Sequence, residues 1–356
     1  MARRLNKELC ENAIKKIGEK KGVFSAVLSV EKGDKSFSWV GATGSMSVGD
    51  QFFIASVTKL YVTTVVLNLI KEGKLNLEDR IVEYLPNYLT HEIHVFNGKD
   101  YTSDITVKHL ISNTSGIPDY FFHKQSNGKT FASDLLEGRD ISWEIEETMN
   151  YVRDLTPKFK PGKKNKAAYS DTNYQLLGQI IETITNKSVG EVFQEYIFSK
   201  LCLKQTYIYE DVTSKEPIPF YYKNKELWVP NYMASIPAEG GIVSTAEELM
   251  LFLRSFFSDV FFKREVINDL KKWNLLMPPP SLFYYGIGLE KLFVPRFISP
   301  LKPIKEILGF WGQTGSFAWY NPDTDLYFTG TTNQINGAGH TAAMKAILNI
   351  IKAELK

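Results

Sequence analysis

Cysteine and histidine are scarce in this 356-residue chain, its charge is nearly balanced, and each of these shortages removes a class of function. Cys10 and Cys202 are too few for a disulfide framework and have no metal-ligand spacing, so they read as two ordinary thiols. The five histidines, His91, His94, His109, His123 and His340, fall in no motif that pairs them with a serine. They offer no zinc pattern of helical spacing, and no Gly-x-Ser-x-Gly elbow is present. A Ser-His-Asp triad therefore has little support, and neither a metal nor a cofactor is expected. Lysine and arginine total 42 against 40 acidic residues, which gives no basis for a nucleic-acid partner. No apolar run approaches the ~18 residues of a membrane span. The first residues, Met1 to Glu8, carry early positive charge with no apolar segment behind it. The expectation is a cytoplasmic protein, periplasmic or extracellular only if a leader has been removed.

What is present is ordinary globular composition, 44% hydrophobic and 23% charged, long enough for one large domain or two. An amphipathic helix over about 6–20 leads into a strand at Val23–Val30, a turn at Lys32-Gly33-Asp34 and a returning strand at Ser36–Val40. An apolar helix then runs from about Ser56 to Lys71 and stops at Gly73. From there to about Met277 the pattern is helix and loop, with helices expected near 79–85, 106–112, 174–185, 189–198 and 246–257. Strand character returns after Pro278-Pro279-Pro280, first at Leu282–Leu289. Ser316–Tyr320 and Leu326–Thr331 then form a hairpin across Asn321-Pro322-Asp323-Thr324-Asp325, and a last helix covers about 338–355. The fold class this implies is α+β. One antiparallel sheet built from both chain termini (1–72 and 278–356) is flanked by the terminal helices, a mainly helical domain (73–277) is inserted, and a site lies at their interface.

Ser56 and Lys59 open the apolar helix, three residues apart and hence on one face. A hydroxyl beside an amine that can take its proton, near unpaired helical N–H groups, suits a nucleophile. The spacing alone is weak. It recurs at Ser29/Lys32, Ser126/Lys129 and Ser299/Lys302, none of which opens a long helix, and Ser56 also reads as an N-cap. Two other stretches stand out. Tyr169-Ser170-Asp171 precedes a helix, which puts Tyr169 and Asp171 in a loop, and Gln313-Thr314-Gly315-Ser316 follows Phe310-Trp311-Gly312 where a strand is expected along an exposed edge.

Together these three stretches resemble the serine β-lactamase/DD-peptidase superfamily. The likeness is to the branch with class C β-lactamases, D-alanyl-D-alanine carboxypeptidases, D-aminopeptidases and family VIII carboxylesterases. That family has Ser-x-x-Lys, then Tyr-x-Asn, then a strand triad ending in Gly, and Leu110–Pro118 and Pro237–Ala246 also look like it. The resemblance implies the β-lactamase/transpeptidase-like fold. It implies an acyl-enzyme on Ser56, proton transfers shared by Lys59 and Tyr169, and an oxyanion hole from the backbone N–H groups of Ser56 and Ser316. Asp171, Gln313, Thr314, Gly315 and Tyr120 would contact substrate, Tyr120 from the rim. An ordinary lysine titrates at about 10.4 and a tyrosine at about 10, so the site is expected to lower at least one of them.

Two residues depart from the family pattern. Gln313 stands where β-lactamases carry Lys and many relatives His, which forgoes a charge-assisted contact to a substrate carboxylate of roughly 1.5–3 kcal/mol. Asp171 replaces Asn, cannot donate to an acylamido carbonyl, and would stabilise the ammonium of a nearby Lys59, moving the base role towards Tyr169. Both changes favour an ester or a neutral acyl group over a β-lactam. The reading is a serine acyl hydrolase for a small-molecule substrate, esterase-like or D-amino-acid-peptidase-like, its oligomeric state open. The alternatives are a β-lactamase, a D-alanyl-D-alanine carboxypeptidase, and a non-catalytic penicillin-binding sensor.

Overall fold

Eight antiparallel strands form the main sheet of a computed structural model that describes residues 5–125, 128–278, 282–296, 299–335 and 337–355. Pro279, Pro280 and Ser126, used above, lie outside the described residues. In spatial order the strands are Asn274–Met277, Phe283–Tyr285, Glu290–Val294, Ile304–Trp311, Ser316–Asn321, Leu326–Thr331, Ser25–Lys32 and Ser38–Gly44. Both chain ends thus meet in one sheet, with Leu28 opposite Gly330 and Ala318 opposite Thr329. The two central strands from the C-terminal hairpin are buried along their whole length, because both faces of the sheet are covered.

Period-two alternation sorts those faces. Ala26, Leu28, Val30, Phe317, Trp319 and Phe328 point to one side. There they pack on the helices Lys7–Gly18 and Gly337–Glu354 through Ile14, Ile17, Ala343, Ile347 and Ile350. Val27, Leu308, Phe310, Ala318 and Tyr320 point to the other side and join the large core that includes the helix Thr58–Lys71. Every residue of that helix from Thr58 to Leu69 is buried, so it is enclosed all round rather than along one stripe. Two of its polar side chains are satisfied within the helix, Thr64 Oγ1 by Leu60 O at 2.9 Å and Asn68 Nδ2 by Thr64 O at 2.8 Å.

Between the two parts of the sheet lie helices at Asp171–Thr185, Ala246–Phe256 and shorter ones, with three small sheets that the sequence reading did not anticipate. One of these pairs Phe52–Phe53 with Ile242–Ser244 and anchors the chain just before Ser56. Several boundaries move. The sheet already begins at Asn274, inside the span expected to be helical, gains the unforeseen strand Glu290–Val294, and has the strand expected around Phe310–Ser316 at Ile304–Trp311 instead. The 79–85 segment is only a 3-10 turn at Ile81–Glu83, and the helix after Val189 gives way to π-helix over Gln194–Phe198. Among the described residues no helix is long and apolar enough to cross a membrane.

Candidate active site

Ser56 sits in a 3-10 turn, Ala55–Val57, and the α-helix starts only at Thr58. Residues three apart eclipse in a 3-10 turn, so Lys59 is delivered to the serine more directly than an α-helical start would allow. Lys59 Nζ lies 3.1 Å from Ser56 Oγ. The turn is strained at Ala55, whose φ of +45° lies in the left-handed region that costs a non-glycine residue about 1–2 kcal/mol. Nothing in the sequence signalled that strain.

Tyr169 is brought to the same serine from a loop 113 residues away, its hydroxyl donating to Ser56 Oγ at 2.8 Å. The loop is held by the Asn113–Tyr120 segment. Asn113, itself at φ +54°, accepts from Ser170 N at 3.1 Å and from Asn173 Nδ2 at 2.7 Å through its Oδ1, and its carbonyl accepts from Ala168 N. Thr172 Oγ1 donates to Pro118 O at 2.9 Å and accepts from Tyr120 N at 3.1 Å. The Leu110–Pro118 stretch therefore braces the tyrosine loop from behind. Asp171 is not in a loop as expected. It is the first residue of the Asp171–Thr185 helix, and its carboxylate pairs with Lys59 Nζ at 2.7 Å. Lys59 is fully buried, and its third acceptor is the carbonyl of Glu239 at 2.8 Å.

The third stretch also differs from expectation. Gly312–Gly315 forms a tight turn between interior strands, not an edge strand, with Gly315 N donating to Gly312 O at 3.0 Å. Thr314 Oγ1 donates to Phe53 O at 2.8 Å and Ser316 Oγ to Ile54 O at 2.6 Å, which fastens the turn to the segment entering Ser56. The smallness of Gly312 serves this contact and not a ligand: a Cβ there would lie 2.5 Å from Ile54 O and 2.0 Å from Ser316 Oγ. Gly312→Ala is expected to lower the denaturant midpoint by the equivalent of about 1–3 kcal/mol, with m unchanged.

Gln313, Thr314, Asp171 and Ser56 line one cavity together with Glu239, Gly240, Tyr232, Met233, Phe220 and Leu135. Tyr120 does not reach its rim. It is fully buried, and its hydroxyl donates to Glu239 Oε1. Glu239 was missed by the sequence reading, although it lies within the Pro237–Ala246 stretch singled out there.

Electrostatically the site holds one lysine among several buried carboxyl groups. Burial pushes Asp119 up to about 7, with the neighbouring Asp171 adding to it, and holds Glu239 well above the usual carboxylate range for the same two reasons. Burial also raises Tyr169 well above an ordinary phenol, reinforced by Asp171 and Glu290. Of the two groups of which at least one was expected to be lowered, Tyr169 is instead raised, and its resting form is the neutral phenol. Glu290, a strand neighbour of Tyr285, is raised to about 8 by burial against the opposing pull of Lys59. An unfolded glutamate titrates at about 4.3, so between about 4.3 and about 8 the folded chain binds a proton that the unfolded chain has lost. Glu290 therefore subtracts stability as pH rises through that window, by up to about 1.4 kcal/mol per pH unit. Glu290→Gln is expected to melt higher than the parent at pH 9, with the advantage shrinking steadily towards pH 5.

The chain is 30% identical over 162 residues to N-acetylmuramyl-L-alanine amidase of Bacillus subtilis, covering 45% of this chain and 34% of that protein. It is 26% identical over 273 residues to penicillin-binding protein 4* of the same organism, covering 70% and 55%. It thus spans about a third to a half of the length of these curated relatives. The D-stereospecific amidohydrolase of a Streptomyces species superposes with a TM-score of 0.80 at 25% identity, over 98% of both chains. The Beta-lactamase family model matches residues 10–350, and the chain belongs to that family.

Proposed function

We propose that the chain is a serine acyl hydrolase that works through an acyl-enzyme on Ser56, acting on an ester or on the amide of a D-amino acid. The observation that carries this reading is the convergence on one hydroxyl. Ser56 Oγ is met by Lys59 Nζ at 3.1 Å and by Tyr169 Oη at 2.8 Å, from elements more than a hundred residues apart in sequence. The backbone N–H groups of Ser56 and Ser316 are the oxyanion donors in this reading, supported by the Ser316–Ile54 contact that holds the two segments together.

The substrate class follows from charge. Among the described residues, those lining the cavity include Asp171 and Glu239 and no lysine, arginine or histidine, with Gln313 where a cation would hold a carboxylate. A β-lactam, which carries a carboxylate, finds no partner there, whereas a neutral or amine-bearing acyl group meets no repulsion. The amidohydrolase likeness agrees with that choice, and cleavage of cell-wall peptides by the relatives' route is the second reading.

Intact-mass spectrometry tests the proposal. A fluorophosphonate is expected to add one label per chain on the peptide containing Ser56, p-nitrophenyl esters to turn over, and penicillin to be hydrolysed slowly or not at all. No label on Ser56 overturns the acyl-enzyme, and rapid penicillin turnover overturns the substrate class.

A further inference from the structure

Lys59 Nζ has three acceptors around it: Asp171 Oδ1 at 2.7 Å, Glu239 O at 2.8 Å and Ser56 Oγ at 3.1 Å. An ammonium has no lone pair; two of its N–H groups are hydrogen-bonded, to Glu239 O and Ser56 Oγ, and Asp171 is its ion-pair partner, so nothing on the nitrogen can accept the serine's proton. Tyr169 also donates to Ser56 Oγ, so the second candidate base points its proton at the nucleophile as well. The resting site lacks a free base on either side of Ser56, and the nearest group able to take a proton is the carboxylate on Lys59. Both partners are buried, where an ion pair has little advantage over the neutral acid and amine that one proton shift would make.

We propose that Asp171 is the proton acceptor of the reaction, acting through Lys59. This inference rests on the Ser56 acyl-enzyme reading. As substrate docks, a proton leaves Lys59 Nζ for Asp171 Oδ1, the amine turns about its Cε–Nζ bond, and the lone pair so presented takes the proton from Ser56 Oγ. The oxygen bonds the acyl carbon, and the carbonyl π pair moves onto the carbonyl oxygen. Collapse of that intermediate breaks the bond to the leaving group, which takes its proton from Tyr169 Oη. Tyr169 recovers a proton from Lys59, and Lys59 recovers one from Asp171. The serine's proton has then passed to the leaving group, with all three helpers restored.

The surroundings of Asp171 suit this role. It opens a helix, where the dipole favours a carboxylate, and its N–H is taken by Asp119 Oδ2 at 2.6 Å. The titratable groups acting on it are Lys59 from the central helix, Asp119 and Tyr120 from the bracing loop, Tyr232, Glu239, and Tyr169 and Tyr174 from its own segment. Asp119 and Glu239 have their titrations raised, and Asp171 is the carboxylate paired with Lys59, the one buried lysine among the described residues.

The test is the pH dependence of the acylation rate in Asp171→Asn and Asp171→Glu, read by fluorophosphonate labelling and p-nitrophenyl ester bursts from pH 6 to 10. Asp171→Asn is expected to acylate about 10²- to 10³-fold more slowly at pH 7, the scale of general base catalysis. The deficit is expected to shrink as pH rises, because Lys59 then loses its proton to solvent. Asp171→Glu keeps the acceptor and is expected to retain the parent's pH profile at a reduced rate, which preserves the test if the amide variant does not fold. Acylation by Asp171→Asn as fast as the parent at pH 7, or slowed by one factor at every pH, overturns the relay. Unlabelled parent protein instead overturns the acyl-enzyme itself, so the two failures are distinct.

Discussion

Ser56→Ala is expected to abolish ester turnover, by a factor on the order of 10⁶ in kcat, the scale seen when a serine hydrolase loses its nucleophile. The substitution removes one oxygen from a site where that oxygen accepts from both Lys59 and Tyr169. It leaves Lys59 with Asp171 and Glu239 as partners, so the buried ammonium stays satisfied and the fold is expected to survive with a melting temperature close to the parent's. Circular dichroism melts beside p-nitrophenyl acetate kinetics separate the two effects. Residual turnover within tenfold of the parent would place the chemistry elsewhere.

The second large effect is on stability. Lys59→Met keeps the unbranched stem but removes the cation of a fully buried pair, a change that costs about 3–5 kcal/mol because the partner charge is left uncompensated. The cost depends on pH. Lys59 holds down the titrations of Asp119, Glu239 and Glu290, all of which burial already raises. Without it their folded values rise further above the unfolded value of about 4, so the folded chain holds protons the unfolded chain has released. Stability then falls with each pH unit through that window, and below about pH 4, where both states are protonated, these groups contribute nothing. Thermal melts at pH 5 and pH 8 are expected to show a variant closer to its parent at the lower value. A deficit equal at both would mean that the carboxyl cluster does not sense Lys59.

How much of this was legible depends on the range over which each signal acts. The pair Ser56/Lys59 is a local fact of spacing, and the hairpin at Ser316–Asn321 and Leu326–Thr331 follows from alternation around an Asn-Pro-Asp turn. The terminal helices showed through their apolar stripes. The strand Glu290–Val294 and the first part of Ile304–Trp311 did not, since each mixes charged and apolar residues and takes its strand state from neighbours on both sides. Asp171 read as a loop residue because its helix is capped by position and partners, with Asp119 bonding its N–H, and not by a side-chain cap of its own.

Sequence by itself determined which chemical groups are present: a serine with its lysine, a tyrosine ahead of a helix, a glycine-rich turn, and the substitutions at Asp171 and Gln313. Tertiary structure alone decided their state. The carbonyl of Glu239 reaches Lys59 across 180 positions, the hydroxyl of Tyr120 caps the Glu239 side chain, and Glu290 enters from the sheet. Spacing along a chain carries no information about solvent. Exclusion of water by elements distant in sequence is what raises the phenol and three of the carboxyl groups, and so leaves Ser56 facing two donors and no base.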